Sequence, residues 1–172
     1  YPLHPFCCKE EIMIKTGFGF DIHRLEEEGS FPLAGVSIQG KKVIAHSDGD
    51  ILLHALSNAI LSALGKEDIG TYFPDNEAKT KDRNSKDILL FAIEERKKKH
   101  YHLNNVAVTI LLEKPKLSPY KAQIKKSLCS LLQLEEENVS ILANTREKLG
   151  PIGEEKACAC LVSILREKEE TR

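Results

Sequence analysis

Thr16-Gly17-Phe18-Gly19-Phe20-Asp21-Ile22-His23, and further on Ser47-Asp48-Gly49-Asp50-Ile51-Leu52-Leu53-His54, are the two stretches whose reading decides the fold. The first lies in a segment, Ile12 to Ile22, that reads as a strand, with Gly17 and Gly19 at alternate positions where another backbone or a ligand can come close. Residues two apart on a strand project to one face, so Asp21 and His23 point the same way. The second stretch changes period. Ser47 is a predicted N-cap with Asp50 as its capping-box partner, and the helix runs to about Gly65. Leu52, Ala55, Leu56, Ala59 and Ala63 form one stripe of that helix, while Asp50, His54, Ser57 and Asn58 share another face.

Outward from these stretches, strands and helices alternate. Phe31-Pro32-Leu33 and Val36 to Val43 flank Ala34-Gly35 as a small hairpin. Glu67 to Ser85 is polar, broken by Gly70 and Pro74, and long enough to act as a ligand lid. Ile88, Phe91 and Ala92 mark a helix that ends in Lys97-Lys98-Lys99, where cations suit the helix C-terminus. Val106 to Leu112 is apolar on both faces, as a strand covered on both sides would be. Ser118-Pro119 starts a helix with Ile124, Leu128, Leu131 and Leu132 on its buried face. Val139, Ile141 and Ala143 alternate as a strand that stops at Asn144-Thr145 before a turn from Leu149 to Gly153. The final segment reads as a helix packing Ala157, Cys160, Leu161, Ile164 and Leu165.

The 172 residues fit one domain, and 41% hydrophobic with 30% charged residues is a globular balance. Acidic side chains number 26 and basic ones 25, a net charge of -1, so no excess of cations exists to hold a nucleic acid. No stretch reaches the roughly 18 apolar residues of a membrane span. The five Cys lack C-x-x-C spacing and read as reduced thiols, with Cys158 and Cys160 packed as small hydrophobes. Because the chain begins at Tyr1, residues 1–11 read as an N-terminal extension left from a trimmed organelle-targeted precursor, ahead of a single domain at 12–172.

Asp21, His23 and His54 form an Asp/His/His set able to hold a catalytic metal with one position open. The same residues also fit a surface Asp-His pair beside a helix histidine satisfied by Asp50. Asp50, in the metal reading, orients His54. His46-Ser47 precedes a helix N-terminus, which favours a phosphate; it equally fits an ordinary cap. Thr145 and Glu147 offer a hydroxyl and a carboxylate for a second cation such as Mg²⁺, or only a turn.

Five blocks go further: Gly19-Phe20-Asp21-Ile22-His23-Arg24; Ala45-His46-Ser47-Asp48-Gly49-Asp50 with His54-Ala55-Leu56; Asp68-Ile69-Gly70 with Phe73-Pro74-Asp75; Pro115-Lys116-Leu117; and Thr145-Arg146-Glu147-Lys148-Leu149-Gly150. In this order they resemble the 2-C-methyl-D-erythritol 2,4-cyclodiphosphate synthase family, from Ile14 to about Leu165. The resemblance implies an α+β fold (an α/β sandwich), a mixed sheet with helices packed on one face, assembling as a homotrimer with active sites shared between neighbours. It implies that Asp21, His23 and His54 hold Zn²⁺ and that Glu147 holds a second divalent cation, Mg²⁺ or Mn²⁺. His46 and Thr145 would stabilise the transition state, and the helix start at Ser47 would give N–H donors to the phosphates. Asp68, Gly70, Phe73 and Asp75 would hold the methylerythritol part. Leu112 to Ser118, with Lys114, Lys116 and Leu117, would hold cytidine, and Asn144 would belong to the phosphate side.

The implied reaction is cyclisation of 4-diphosphocytidyl-2-C-methyl-D-erythritol 2-phosphate, releasing CMP, in non-mevalonate isoprenoid biosynthesis, located in a plastid-type organelle or a bacterial cytoplasm. Its rivals are a nucleotide-binding trimer without turnover and a generic zinc phosphohydrolase. The chain departs from the family at Asn144-Thr145-Arg146, where three Thr are common, and at Pro151, Glu154 and Lys156, where the family commonly has an aromatic, an Arg and an acidic residue. Those last positions can line a cavity on the trimer axis, so isoprenoid diphosphates are not expected to bind here.

Overall fold

Two glycines bring the first strand and the first helix into contact. The computed structural model describes residues 13–45, 47–74 and 84–168. Strand β1 (Ile14–Leu33) runs through the expected strand and on into the Phe31-Pro32-Leu33 segment. It bends at a register shift between Glu27 and Ser30 and turns at Ala34-Gly35 into β2 (Val36–Ile44). Helix α1 (Ile51–Ala63) lies across β1, so close to Gly17 and Gly19 that a Cβ at either would stand within 2.0 Å of a helix carbonyl oxygen.

Helix α1 begins three residues later than expected. Gly49 takes a positive φ of 75°, a turn made possible by its missing side chain, and Asp50 is the N-cap, accepting the N–H of Leu53 at 3.1 Å. The same buried carboxylate accepts the N–H groups of Ala34 at 3.0 Å and Gly35 at 2.7 Å, tying the hairpin turn to the helix start. Asp50 is therefore occupied in holding the fold and does not orient His54. Burial pushes its carboxyl up, against three backbone N–H bonds that favour the charge. Both the expected polar and apolar faces of α1 are buried, because β1, β5 and a later helix at 85–97 pack around it.

Next come a single turn α2 (Ile69–Tyr72), helix α3 (Ser85–Lys97) and strand β3 (Tyr101–Leu111). Helix α4 (Lys121–Leu132) starts beyond the expected Ser118-Pro119, which instead stand in a turn closed by the Tyr120 N–H on Leu117. Strand β4 (Val139–Asn144) and the turn α5 (Gly150–Gly153) match expectation.

The terminal element does not. Ala157–Lys168 is a strand, β5, and it lies at the centre of the sheet, ordered β2-β1-β5-β3-β4. Pairing is antiparallel except between β3 and β4. Cys158, Cys160, Val162, Ile164 and Arg166 point under the helices at strand period two, and the neighbours on both sides supply the hydrogen bonds that make it a strand. The sheet is thus mixed, with the helices on one face and an α+β fold as expected. Among the described residues nothing covers its other face: Phe18 is 58% exposed, Phe20 47% and Leu142 55%. β3 is accordingly buried on one side only.

Arg166 is the largest side chain in the core. Its Nη2 donates to the Ala63 carbonyl at the end of α1, and its guanidinium lies 3.7 Å from the Tyr101 ring centroid. A cation there suits the negative end of the helix dipole.

Candidate active site

Parity along β1 sets the first half of the site. Asp21 and His23 lie on the same side as Gly17 and Gly19, facing α1, and His54 comes down from α1 one residue before Ala55, whose carbonyl touches Gly19. The Asp21 Oδ2 atom is 3.0 Å from His54 Nδ1 and 3.2 Å from His23 Nδ1, and the two rings sit 5.6 Å apart. Among the described residues this is the cluster suited to a metal, its three ligand atoms all within 4.8 Å of one another. Ligands at the usual zinc bond length of 2.0–2.2 Å, arranged tetrahedrally, stand about 3.3 Å apart, so the spacing fits.

Two further observations fit a cation. His23 Nδ1 is buried and lacks a hydrogen-bond partner among the described residues, since its approach to Asp21 is misaligned for one. Burial works to raise the Asp21 carboxyl, but the His23 and His54 imidazoles beside it outweigh that and hold the group below the usual carboxylate range. The donor set of one carboxylate and two imidazoles is that of catalytic zinc.

His54 is held on its far side by residues that sequence reasoning missed. Its Nε2 is 2.9 Å from Ser85 Oγ, at the first residue of α3, and Ser85 Oγ in turn donates to Asp48 Oδ1. Ser47 Oγ is farther from Nε2, at 3.4 Å, and accepts the Gly49 N–H at 3.1 Å. Ser47 does not cap α1. The helix start is capped instead by the Asp50 carboxylate, which accepts the Leu53 N–H.

Asp68 caps α2 through the Thr71 N–H at 3.1 Å, and Asn58 of α1 accepts the Ile69 N–H at 3.0 Å, which hangs this turn beside the triad. Gly70 lies within the turn, and Phe73 packs edge-on against Phe91 of α3 at 5.3 Å. His46 and Asp75 lie outside the described residues, as does much of the expected lid.

A second cluster forms where β3 and β4 end. Leu111 pairs with Asn144, and the Arg146 N–H donates to Glu113 at 3.0 Å, binding the 112–118 loop to the turn after β4. Thr145 Oγ1 donates to Glu147 Oε1 at 2.9 Å, both exposed. Lys114 is not free to face a ligand alone: its Nζ sits 2.8 Å from Glu155, which also pairs with the buried Lys41 at 3.1 Å. Leu117 is buried in the core, its carbonyl accepting the Tyr120 and Lys121 N–H groups, while Lys116 is exposed.

The register separates the two clusters. Ile22 pairs with Ala159, Ala159 with Leu111 and Leu111 with Asn144, so the triad and the Thr145–Glu147 turn share one end of the sheet but stand three strands apart. At about 4.8 Å per strand that is roughly 14 Å. The structure brings Asp21, His23 and His54 together and does not bring Glu147 to them within the chain.

The core thiols take no part. Burial pushes Cys158 up to about 12 and Cys160 well above the ordinary thiol range, so neither supplies a nucleophile. Cys7 and Cys8 lie outside the described residues. Among those described, no helix is long and apolar enough to cross a membrane.

A family model described as the YgbB family matches residues 14–167. A protein of Leptospira borgpetersenii named 2-C-methyl-D-erythritol 2,4-cyclodiphosphate synthase is 46% identical over 156 residues, covering 89% of this chain and 97% of the relative. The bifunctional IspDF of Campylobacter jejuni is similar in structure, with a TM-score of 0.87 and 36% identity over 92% of this chain and 43% of that one. This chain therefore spans less than half of that bifunctional protein. IspF of Plasmodium falciparum in its CDP complex gives a TM-score of 0.82 at 37% identity, covering 91% of this chain and 97% of that one. With the fold, the clustered triad and these likenesses all running through the same residues, the chain belongs to the YgbB family, the enzyme family of the 2-C-methyl-D-erythritol 2,4-cyclodiphosphate synthases.

Proposed function

We propose that the chain converts 4-diphosphocytidyl-2-C-methyl-D-erythritol 2-phosphate into 2-C-methyl-D-erythritol 2,4-cyclodiphosphate and CMP. The observation that carries the reading is the convergence of Asp21, His23 and His54 in a chain of this family. In the reaction an oxygen of the 2-phosphate bonds to the β-phosphorus, the bond from that phosphorus to the bridging oxygen breaks, and the electron pair leaves on CMP. The substrate supplies its own nucleophile, so the protein has only to position and neutralise.

Asp21, His23 and His54 would hold Zn²⁺, and Glu147 would hold Mg²⁺ or Mn²⁺; when bound, these ions would supply the positive charge that the transferring phosphoryl oxygens need. Asp21, depressed toward its charged form, and the two Nδ1 atoms provide the donors for the first ion. Ser47 binds the phosphates and His46 stabilises the transition state, while Asp68, Gly70, Phe73 and Asp75 hold the methylerythritol part, the two carboxylates matching its hydroxyl groups. The 112–118 loop and Asn144 take the cytidine and its phosphates, with Thr145 steadying the charge that develops. The CDP in the similar Plasmodium structure supports a cytidine nucleotide as ligand.

The separation of the two clusters supports a homotrimer in which one subunit's triad faces its neighbour's nucleotide loop. The uncovered apolar sheet face around Phe18, Phe20 and Leu142 supports the same assembly. Its sedimentation should be that of a trimer; a monomer at working concentration contradicts the shared site. The Leptospira relative supports a bacterial cytoplasm over a plastid-type organelle.

Incubation with the substrate and Mg²⁺ should release CMP, with a cyclic diphosphate in the phosphorus NMR spectrum, and D21A or H23A should abolish both. Full CMP release by both variants removes the triad from the reaction, and inorganic phosphate as product replaces cyclisation with hydrolysis.

A further inference from the structure

The metal-site reading leaves unexplained why a buried serine from a different helix, 31 residues away in sequence, sits on the back of His54. We infer that Asp48 and Ser85 are positioning residues for the metal: together they fix the His54 ring so that Nε2 carries its proton and the Nδ1 lone pair faces the ion. The inference rests on the metal-site reading proposed above.

Proton counting decides the direction of the relay. A serine hydroxyl has one proton and two lone pairs, and an ionised carboxylate only accepts. Ser85 Oγ lies in close hydrogen-bond contact with Asp48 Oδ1, so its proton goes to Asp48. Toward His54 it then has only a lone pair to offer, and the Nε2 atom 2.9 Å away must be the donor. With the proton on Nε2, the Nδ1 lone pair of the neutral ring is left for an ion, and Nδ1 is the atom that faces Asp21, 3.0 Å from its Oδ2. The opposite arrangement would set two acceptors against each other at Ser85.

The device is rigid. Asp48 is held through both oxygens, Oδ2 by the Ser85 N–H at 3.1 Å and Oδ1 by the Asp50 N–H at 3.3 Å in addition to the hydroxyl. Ser85 is fully buried and opens α3, where a helix N-terminus favours the Asp48 charge. Ser47 Oγ makes a longer contact with Nε2, 3.4 Å against 2.9 Å for Ser85, and accepts the Gly49 N–H at 3.1 Å. A hydrogen-bonded acceptor behind an imidazole raises its donor strength and fixes its plane, and losing such a partner typically costs 10–100-fold in metal affinity.

The test uses purified full chain stripped of metal. Zinc affinity is measured by competition with a chromophoric chelator, and the cobalt(II)-loaded protein is examined by proton NMR for hyperfine-shifted, exchangeable imidazole N–H signals. S85A should bind zinc roughly 10–100-fold more weakly and lose one slowly exchanging N–H signal. D48N keeps an acceptor for the Ser85 hydroxyl but removes the charge, and should lose affinity several-fold while retaining that signal. S57A removes another buried hydroxyl of the same region, one that donates to the Leu53 carbonyl, and should bind zinc like the parent. Parental zinc affinity and an intact N–H signal in S85A overturn the inference; should S85A not fold, parental affinity in D48N does so. A parent chain that binds neither zinc nor cobalt overturns instead the metal-site reading beneath it.

Discussion

Replacing Gly19 with alanine tests how the fold makes the site. The new Cβ would stand 1.8 Å from the Ala55 carbonyl oxygen and 2.6 Å from the Ala59 nitrogen. Both are helix backbone, so no side chain can swing aside. Reaching the 3.4 Å of ordinary contact requires α1 to withdraw from β1 by the difference, about 1.6 Å. Overpacking of this kind costs about 1–3 kcal/mol, which for a domain of this size lowers the unfolding midpoint by roughly 2–12 °C. The movement also lifts His54 away from Asp21, now 3.0 Å apart, and a zinc ion with bonds of about 2.0–2.2 Å cannot follow both. The chain has no tryptophan, so unfolding is followed by far-ultraviolet circular dichroism in excess chelator, and zinc affinity is titrated separately. G17A, whose Cβ would stand 2.0 Å from the Ala59 carbonyl, should show a similar stability loss with a smaller loss of zinc affinity, because it lies a turn farther from His54. An unshifted midpoint together with parental zinc affinity in G19A would refute the close-approach account of both fold and site.

Three further outcomes are expected. R166A should destabilise by about 1–3 kcal/mol in urea unfolding, because the Ala63 carbonyl at the end of α1 loses its donor; a change within error would mean the guanidinium is not closing that helix. Glu95 bridges Lys66 at 2.6 Å and Lys98 at 2.5 Å, and hydrogen bonds from Lys66 and then Lys98 hold its carboxyl at about 2, against 4.5 ordinarily. A depressed carboxyl stabilises above its unfolded value and loses that contribution as pH falls through about 4.5 toward 2, so E95Q should flatten the fall of the melting temperature in that window, and an unchanged acid limb would contradict it. Geranyl or farnesyl diphosphate should leave the melting temperature unmoved, since Lys156 is paired with Glu154 at 2.7 Å beside Pro151; a clear rise would show an anion site there.

Local pattern carried the elements whose two faces differ. The alternation Gly17, Gly19, Asp21, His23 placed both β1 ligands on one side, and the β3-α4-β4 order was legible from its apolar periods. β5 was not, because Ala157, Cys160, Leu161, Ile164 and Leu165 satisfy a helical spacing as well as Cys158, Cys160, Val162 and Ile164 satisfy a strand. A central strand apolar on both faces is identified only by its neighbours, β1 and β3, which lie far away in sequence. The start of α1 was misplaced because Ser47 and Asp50 are equally good caps, and the positive φ of Gly49 selects the second. The triad was visible through Asp21-x-His23 and a helix histidine, whereas Ser85 carried no signal, its bond to His54 being wholly tertiary.

The central claim is that one zinc ion is held by atoms drawn from β1 and α1. Anomalous diffraction at the zinc edge from crystals of the metal-loaded protein tests it most directly. A single peak bonded to Asp21 Oδ2, His23 Nδ1 and His54 Nδ1 is expected. A loaded crystal with no peak there, or with the ion bound by other side chains, would contradict it.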